Sequence, residues 1–190
     1  MIENIFCVNL DIGFNWILKD SNHFNKLDIK DKFAAHWRLQ KTDLLDEFIL
    51  WLESHKLNLF WAEIFYTSPG GNIFLHADEI QPKNSSKLNW VYDRGDTSMN
   101  WYIPKPGVTL KRQDNTIGGT YYDCKPEECD LAFTASVNRP SLVNAGIPHN
   151  VYNNSKYPRW CVSIPLQGKN SDLRLAWGDA IKLFGKYQQC

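Results

Sequence analysis

The sequence has no excess of either charge, since 21 Lys and Arg residues balance 21 Asp and Glu. No global field therefore draws the protein to nucleic acid or to an anionic membrane. It has no run of about 18 apolar residues, so no helical membrane span is expected. Residues Met1 to Leu10 include acidic Glu3 and no basic segment leading into a long apolar stretch, so no export address is expected. There is no C-x-x-C pair. The five cysteines, Cys7, Cys124, Cys129, Cys161 and Cys190, are odd in number, which favours reduced thiols and a cytoplasmic protein over a disulfide framework. The chain shows no internal repeat, low-complexity tract or interdomain linker, and its 190 residues fit a single domain. The partner expected by default is a small-molecule or peptidyl substrate, and oligomeric state is not legible.

Aromatic residues, in contrast, are plentiful at 14%, with eight Trp. Many lie in short apolar runs bounded by Gly, Pro, Asn and Asp, which is the composition of a β-rich domain with a deep pocket. The strongest helical pattern is Lys41 to Lys56, with Thr42 as cap and Leu44, Leu45, Phe48, Ile49 and Leu52 on one face. A weaker helix is expected over Asp31 to Leu39, and an irregular one over Asp172 to Tyr187, weakened by Gly178 and Gly185. Between them the pattern predicts strands near Phe60 to Tyr66, Asn72 to His76, Lys87 to Tyr92, Ser98 to Ile103, Gly119 to Tyr122, Ser141 to Asn144, His149 to Asn153 and Arg159 to Pro165. The expected organisation is an N-terminal helical part (about 1–58), a sandwich or jelly-roll core (about 59–166) and a C-terminal extension (167–190). Lys105 to Asn115 reads as a loop over a pocket, with Lys105, Lys111 and Arg112 near its mouth.

Alternate residues of a strand share a face, so Phe74, His76 and Asp78 are expected to point one way and Ile73, Leu75 and Ala77 the other. One imidazole and one carboxylate are thereby presented together. His149, following Pro148 at the start of a later strand, is the best third ligand for a facial triad that leaves positions open on Fe(II). An H-x-D alone is weak, since roughly 0.4 are expected by chance in such a chain. The order of the set makes it specific: the H-x-D closes a strand, His149 opens a later one, and Arg159 follows ten residues on. Two imidazoles and a carboxylate also describe catalytic zinc, but the chain has no H-E-x-x-H and its candidate ligands lie on strands. His23, His36 and His55 have no acidic partner at ligand spacing and read as surface or boundary residues.

Arg159 shares a predicted face with Cys161 and Ser163, opposite Trp160, Val162 and Ile164. A guanidinium inside a barrel needs an anionic partner. That partner is either a bound carboxylate or an internal acid, unless Arg159 lies exposed at the strand end.

Taken together, Leu-His-Ala-Asp-Glu, Lys-Leu-Asn-Trp, Met-Asn-Trp-Tyr, Leu-Val-Asn-Ala-Gly-Ile-Pro-His-Asn-Val-Tyr-Asn and Arg-Trp-Cys-Val-Ser-Ile resemble the 2-oxoglutarate and Fe(II)-dependent dioxygenase superfamily. The likeness runs from about Phe74 to Pro165. It is greatest to small, prolyl-hydroxylase-like members of bacterial, phage and marine metagenomic origin. The resemblance implies a mainly β fold with flanking helices, a double-stranded β-helix (jelly roll, cupin-like) with helices packed on one sheet. It also implies iron held by His76, Asp78 and His149, and 2-oxoglutarate held through its distal carboxylate by Arg159, with Ser163 assisting and Asn89 touching the oxoacid. O2 would be the oxidant, C–H hydroxylation the outcome, and succinate and CO2 the co-products. The chain departs from the family at Cys161, where a hydroxyl residue is usual. Two other readings stay open: a cupin-like metal-dependent isomerase or hydrolase, and a non-enzymatic jelly-roll module stacking sugars on Trp90, Trp101 and Trp160.

Overall fold

Polar and apolar residues alternate along the middle of the chain with the period of a pleated strand, and the tertiary structure follows that alternation. The computed structural model describes residues 5–78, 85–114, 119–137, 140–169 and 174–188. The strands are β1 (Cys7–Asn9), β2 (Ala34–Leu39), β3 (Leu57–Asn58), β4 (Ala62–Thr67), β5 (Asn72–Ala77), β6 (Ser86–Tyr92) and β7 (Thr97–Pro104). They continue as β8 (Lys111–Asp114), β9 (Thr120–Asp123), β10 (Cys129–Ala135), β11 (Ser141–Asn144), β12 (His149–Asn153), β13 (Arg159–Pro165) and β14 (Gln167–Gly168). Helices α1 (Asp46–Ser54) and α2 (Trp177–Phe184) complete the inventory with short 3-10 turns. Among the described residues the strands form two six-stranded antiparallel sheets, ordered β1-β11-β6-β13-β4-β2 and β10-β7-β12-β5-β9-β8, plus a small β14-β3 pair. This is a jelly roll of the cupin kind, mainly β with flanking helices.

Three adjacent strands of the first sheet show why the layers stack as they do. Their outward residues, Ala62, Ile64 and Tyr66 on β4, Leu88 and Trp90 on β6, and Trp160, Val162 and Ile164 on β13, join Phe48 and Leu52 of α1 and Phe184 of α2 in the largest core. The inward residues of the same strands differ. Val91 and Cys161 pack with Met99, Trp101 and Val151 of the second sheet, while Lys87, Asn89, Arg159 and Ser163 line a cavity. The helices therefore cover the outer face of one sheet and leave the space between the sheets for polar groups.

Several expectations change. Ala34–Leu39 is an edge strand, not a helix: it pairs along its length with β4, from Ala34 opposite Thr67 to Leu39 opposite Ala62. The N-terminal third accordingly contains β1, β2 and β3 besides its helix. The helical pattern from Lys41 splits into a 3-10 turn, Lys41–Asp43, and α1, and Gln40 rather than Thr42 makes the capping contacts with Asp43. The last helix begins only at Trp177, and Asp172 lies outside the described residues. Lys111–Asp114 is not loop but β8, hydrogen-bonded to β9, while Asn115 lies outside the described residues. Strand β10, which the sequence pattern does not announce, pairs with β7 through a bulge between Leu131 and Phe133.

Candidate metal centre

His76 is the next-to-last residue of β5 and His149 begins β12, and the two strands are paired so that these residues sit directly opposite each other. Their ring centroids are 4.6 Å apart. Asp78 follows one residue beyond β5, its backbone N–H donating to Ala145 O at 2.9 Å. One ligand atom from each of His76, Asp78 and His149 lies within 4.8 Å of the others, two imidazoles and a carboxylate converging on one point.

The tautomers are fixed by the backbone. His76 Nδ1 lies 2.8 Å from Phe74 O, and His149 Nδ1 lies 2.8 Å from Ile147 O. A carbonyl only accepts, so each Nδ1 carries a proton, and in the neutral ring each Nε2 is the nitrogen that presents a lone pair. His76 Nε2 is 3.6 Å from Asp78 Oδ1. Burial, then the neighbouring His76, push the His149 imidazole down to about 4 against the pull of Asp78, so His149 is neutral and ready to ligate at pH 7. Burial alone would raise the Asp78 carboxyl, but the Lys87 ammonium beside it, with the two histidines, holds it well below the usual range.

Lys87 is the residue that sequence reasoning missed. It lies on β6, is 6% exposed, and places Nζ 2.6 Å from Asp78 Oδ2 and 3.6 Å from Glu63 Oε2. Burial works against its charge, but Asp78 and Glu63 overcome it and keep the ammonium protonated above its ordinary range. The available signal was Lys87 and Asn89 alternating with Leu88 and Trp90, a polar stripe on a strand buried on both faces.

A narrow cavity of about 50 Å³ runs between the sheets from the triad and is lined by Asn89, Arg159, Cys161 and Ser163 as well as His76, Asp78 and His149. Arg159 is 2% exposed, and no carboxylate lies within ion-pair range of it among the described residues. Its Nε has no hydrogen-bond partner. The Cys161 thiol beside it supplies no charge, because burial raises that thiol despite the guanidinium. Arg159 is therefore neither exposed at the strand end nor paired with an internal acid. Asn89 points into the same cavity with Oδ1 unpartnered, on a strand flanked by β11 and β13, so it does not cap a sheet edge.

A second cavity of about 1090 Å³ opens to the outside and shares Phe65, Ile73, His76, Asp78 and Lys87 with the first. Ile73, expected on the face opposite His76, lines both cavities because β5 carries one extra residue against β12 between His76 and Ile73. Leu75 and Ala77 are buried on the other side as expected. Arg112 and Asp114 of β8 reach the mouth, whereas Lys105 is held away, its Nζ donating to Glu127 O at 2.9 Å. Of the other histidines, His55 lies 2.8 Å from Trp51 O, His23 sits in a surface turn, and His36 lines the outer cavity on β2. Trp90, Trp101 and Trp160 are at most 8% exposed, so the sugar-stacking role suggested for them fails.

No protein-family model matches the chain. No curated protein matches it in sequence. Among solved structures it is similar to a recombinant oxalate oxidase in complex with glycolate, at 11% identity and TM-score 0.39 over 75% of this chain and 55% of that one. It is also similar to oxalate decarboxylase from Bacillus subtilis, at 11% identity and TM-score 0.36 over 74% of this chain and 28% of the other. A vicilin from Solanum melongena gives 10% identity and TM-score 0.39 over 88% and 44%. The chain spans about half the length of that oxidase and less of the other two. Likeness at this level carries nothing about activity.

Proposed function

We propose that this protein is a 2-oxoglutarate and Fe(II)-dependent oxygenase that hydroxylates a C–H bond of an organic substrate. The observation that carries the reading is Arg159: a guanidinium 2% exposed, without a carboxylate partner among the described residues, lining the same cavity as His76, Asp78 and His149. A buried, unbalanced cation is costly unless a ligand supplies the missing anion. A dicarboxylate reaching from the triad toward Arg159 does so.

The donor set fits the ion. Two imidazoles and one carboxylate are the triad that leaves adjacent positions of Fe(II) open for a bidentate oxoacid and O2. Iron bound there would supply O2 activation coupled to decarboxylation of the oxoacid to succinate and CO2. The protein's own residues do the rest. Phe74 O and Ile147 O fix which imidazole nitrogens face the ion. Lys87 occupies one oxygen of Asp78 and leaves the other turned to His76. Arg159, with Asn89 and Ser163 beside it, orients the oxoacid and keeps its charged end out of water. The outer cavity admits the substrate to the His76 and Asp78 side of the centre. The same ligands suit zinc, but a hydrolytic zinc site gives the buried Arg159 no task.

The test is spectroscopic. Anaerobic protein with Fe(II) and 2-oxoglutarate should develop a visible charge-transfer band that His76→Ala abolishes and Arg159→Gln shifts to much higher oxoacid concentration. A colourless mixture at saturating Fe(II) and oxoacid would sink the assignment.

A further inference from the structure

The outer cavity differs in character from the inner one. Its volume, about 1090 Å³, is slightly above the roughly 300–1,000 Å³ usual for small-molecule sites, which leaves room for a body larger than a free amino acid. Its walls come from both sheets: β2 and β4 on one side, β5, β8 and β9 on the other. Exposed rings stand around it. Phe33, Phe60 and Phe74 are 56%, 65% and 54% exposed, and Phe74 lies 5.3 Å from Tyr121, which in turn stands edge-on to His76 at 6.0 Å. Phe74 and Tyr121 thus make a ring-lined wall that ends at a metal ligand.

The charge of the mouth is equally directional. Its carboxylates are engaged, Asp78 and Glu63 with Lys87 and Asp114 with Arg112 at 3.7 Å. Two guanidiniums also line it, Arg38 and Arg174. Arg38 and Arg174 stand 5.5 Å and 5.1 Å from the ring centre of the same Trp61. Stacking on an indole restrains a guanidinium while leaving its N–H edge able to bind an oxyanion. Arg38 is exposed and has no carboxylate in ion-pair range among the described residues.

We infer that the substrate is an elongated organic anion, with a carboxylate or phosphate held at the rim by Arg38 and Arg174 and a flat, ring-bearing or otherwise apolar body lying against Phe74 and Tyr121. The inference rests on the oxygenase reading for what happens to the substrate, but its binding half stands on its own.

The test measures binding without turnover. The protein is titrated calorimetrically with 6-phenylhexanoate, 6-phenylhexyl phosphate and neutral 6-phenylhexanamide. At least one anion should bind about tenfold or more tightly than the amide, and which anion wins separates a carboxylate from a phosphate substrate. Arg38→Gln with Arg174→Gln should erase the preference, Lys105→Gln should leave it, and added NaCl should shrink it. Equal binding of all three compounds, or a preference that survives loss of both arginines, overturns the inference. Failure here leaves the anaerobic iron and oxoglutarate band untouched, so the two readings fail separately.

Discussion

Lys87 Nζ sits 2.6 Å from Asp78 Oδ2, a buried cation held against the single carboxylate of the candidate metal centre. The ammonium takes one oxygen and leaves Oδ1 facing His76 Nε2. A carboxylate so divided has one oxygen left to offer an ion. The same ammonium lies 3.6 Å from Glu63 Oε2, so one cation is shared by two carboxylates in a low-dielectric pocket.

Removing that cation should therefore cost more than a surface ion pair would. Lys87→Met leaves Glu63 and Asp78 buried without their counter-charge, and a loss of roughly 3–5 kcal/mol of folding stability is expected. Urea denaturation of the metal-free protein measures it. Lys87→Arg should recover part of the loss, and an unchanged midpoint for Lys87→Met would show the pair to be incidental.

The triad predicts a sharp dependence on each ligand. His76→Ala, His149→Ala and Asp78→Asn should each weaken Fe(II) or Mn(II) binding by about 100-fold or more, since two donors remain where three converged. Metal content after dialysis, with titration of Mn(II) by its relaxation signal, reads this directly. A variant that keeps full affinity is not a ligand.

Arg159 should show opposite effects on stability and on binding. Arg159→Met removes a buried charge that the ligand-free protein leaves unbalanced, so that protein should melt higher than the parent. The same variant should lose 2-oxoglutarate affinity by about 10- to 100-fold, in line with ~1.5–3 kcal/mol for a hydrogen bond to a charged group. A loss of stability together with unchanged affinity would mean that Arg159 serves the fold alone.

Acid should destabilise the metal-free protein through His149. Unfolded, this imidazole takes a proton below about 6.5; folded, burial and His76 delay protonation until about 4. Between those values the unfolded state binds more protons, so stability is full above the window and falls as pH drops through it, by on the order of 3 kcal/mol. Asp78, whose carboxyl is lowered in the fold, adds a loss of the same sign at more acid pH. Denaturation midpoints from pH 7.5 to 4.5 should decline in the parent and flatten in His149→Phe.

Strands whose two faces meet different surroundings were legible to the residue. Ser141–Asn144, His149–Asn153 and Arg159–Pro165 fall where the alternation places them, and Arg159, Cys161 and Ser163 share the face assigned to them. Ala34–Leu39 was misread because Ala-Ala-His-Trp-Arg-Leu suits a helix locally, and its strand state comes from hydrogen bonds to β4, about 30 residues away. Ile73 was placed on the wrong face because a bulge leaves no mark in a single sequence. Lys87 escaped for a related reason. Its partners Glu63 and Asp78 come from other parts of the chain, and spacing says nothing about which charges a barrel brings together.

The opposed faces of β4, β6 and β13 separate two inheritances within the same residues of chain. Ala62, Ile64, Leu88, Trp90, Trp160, Val162 and Ile164 face the helices and hold the protein together, while the intervening side chains face the cavities. A randomised library confined to positions 65, 89, 161 and 163 would thus explore new ligand preferences with the helix-facing scaffold left intact. A laboratory wishing to redirect this protein has its editable alphabet on every second residue.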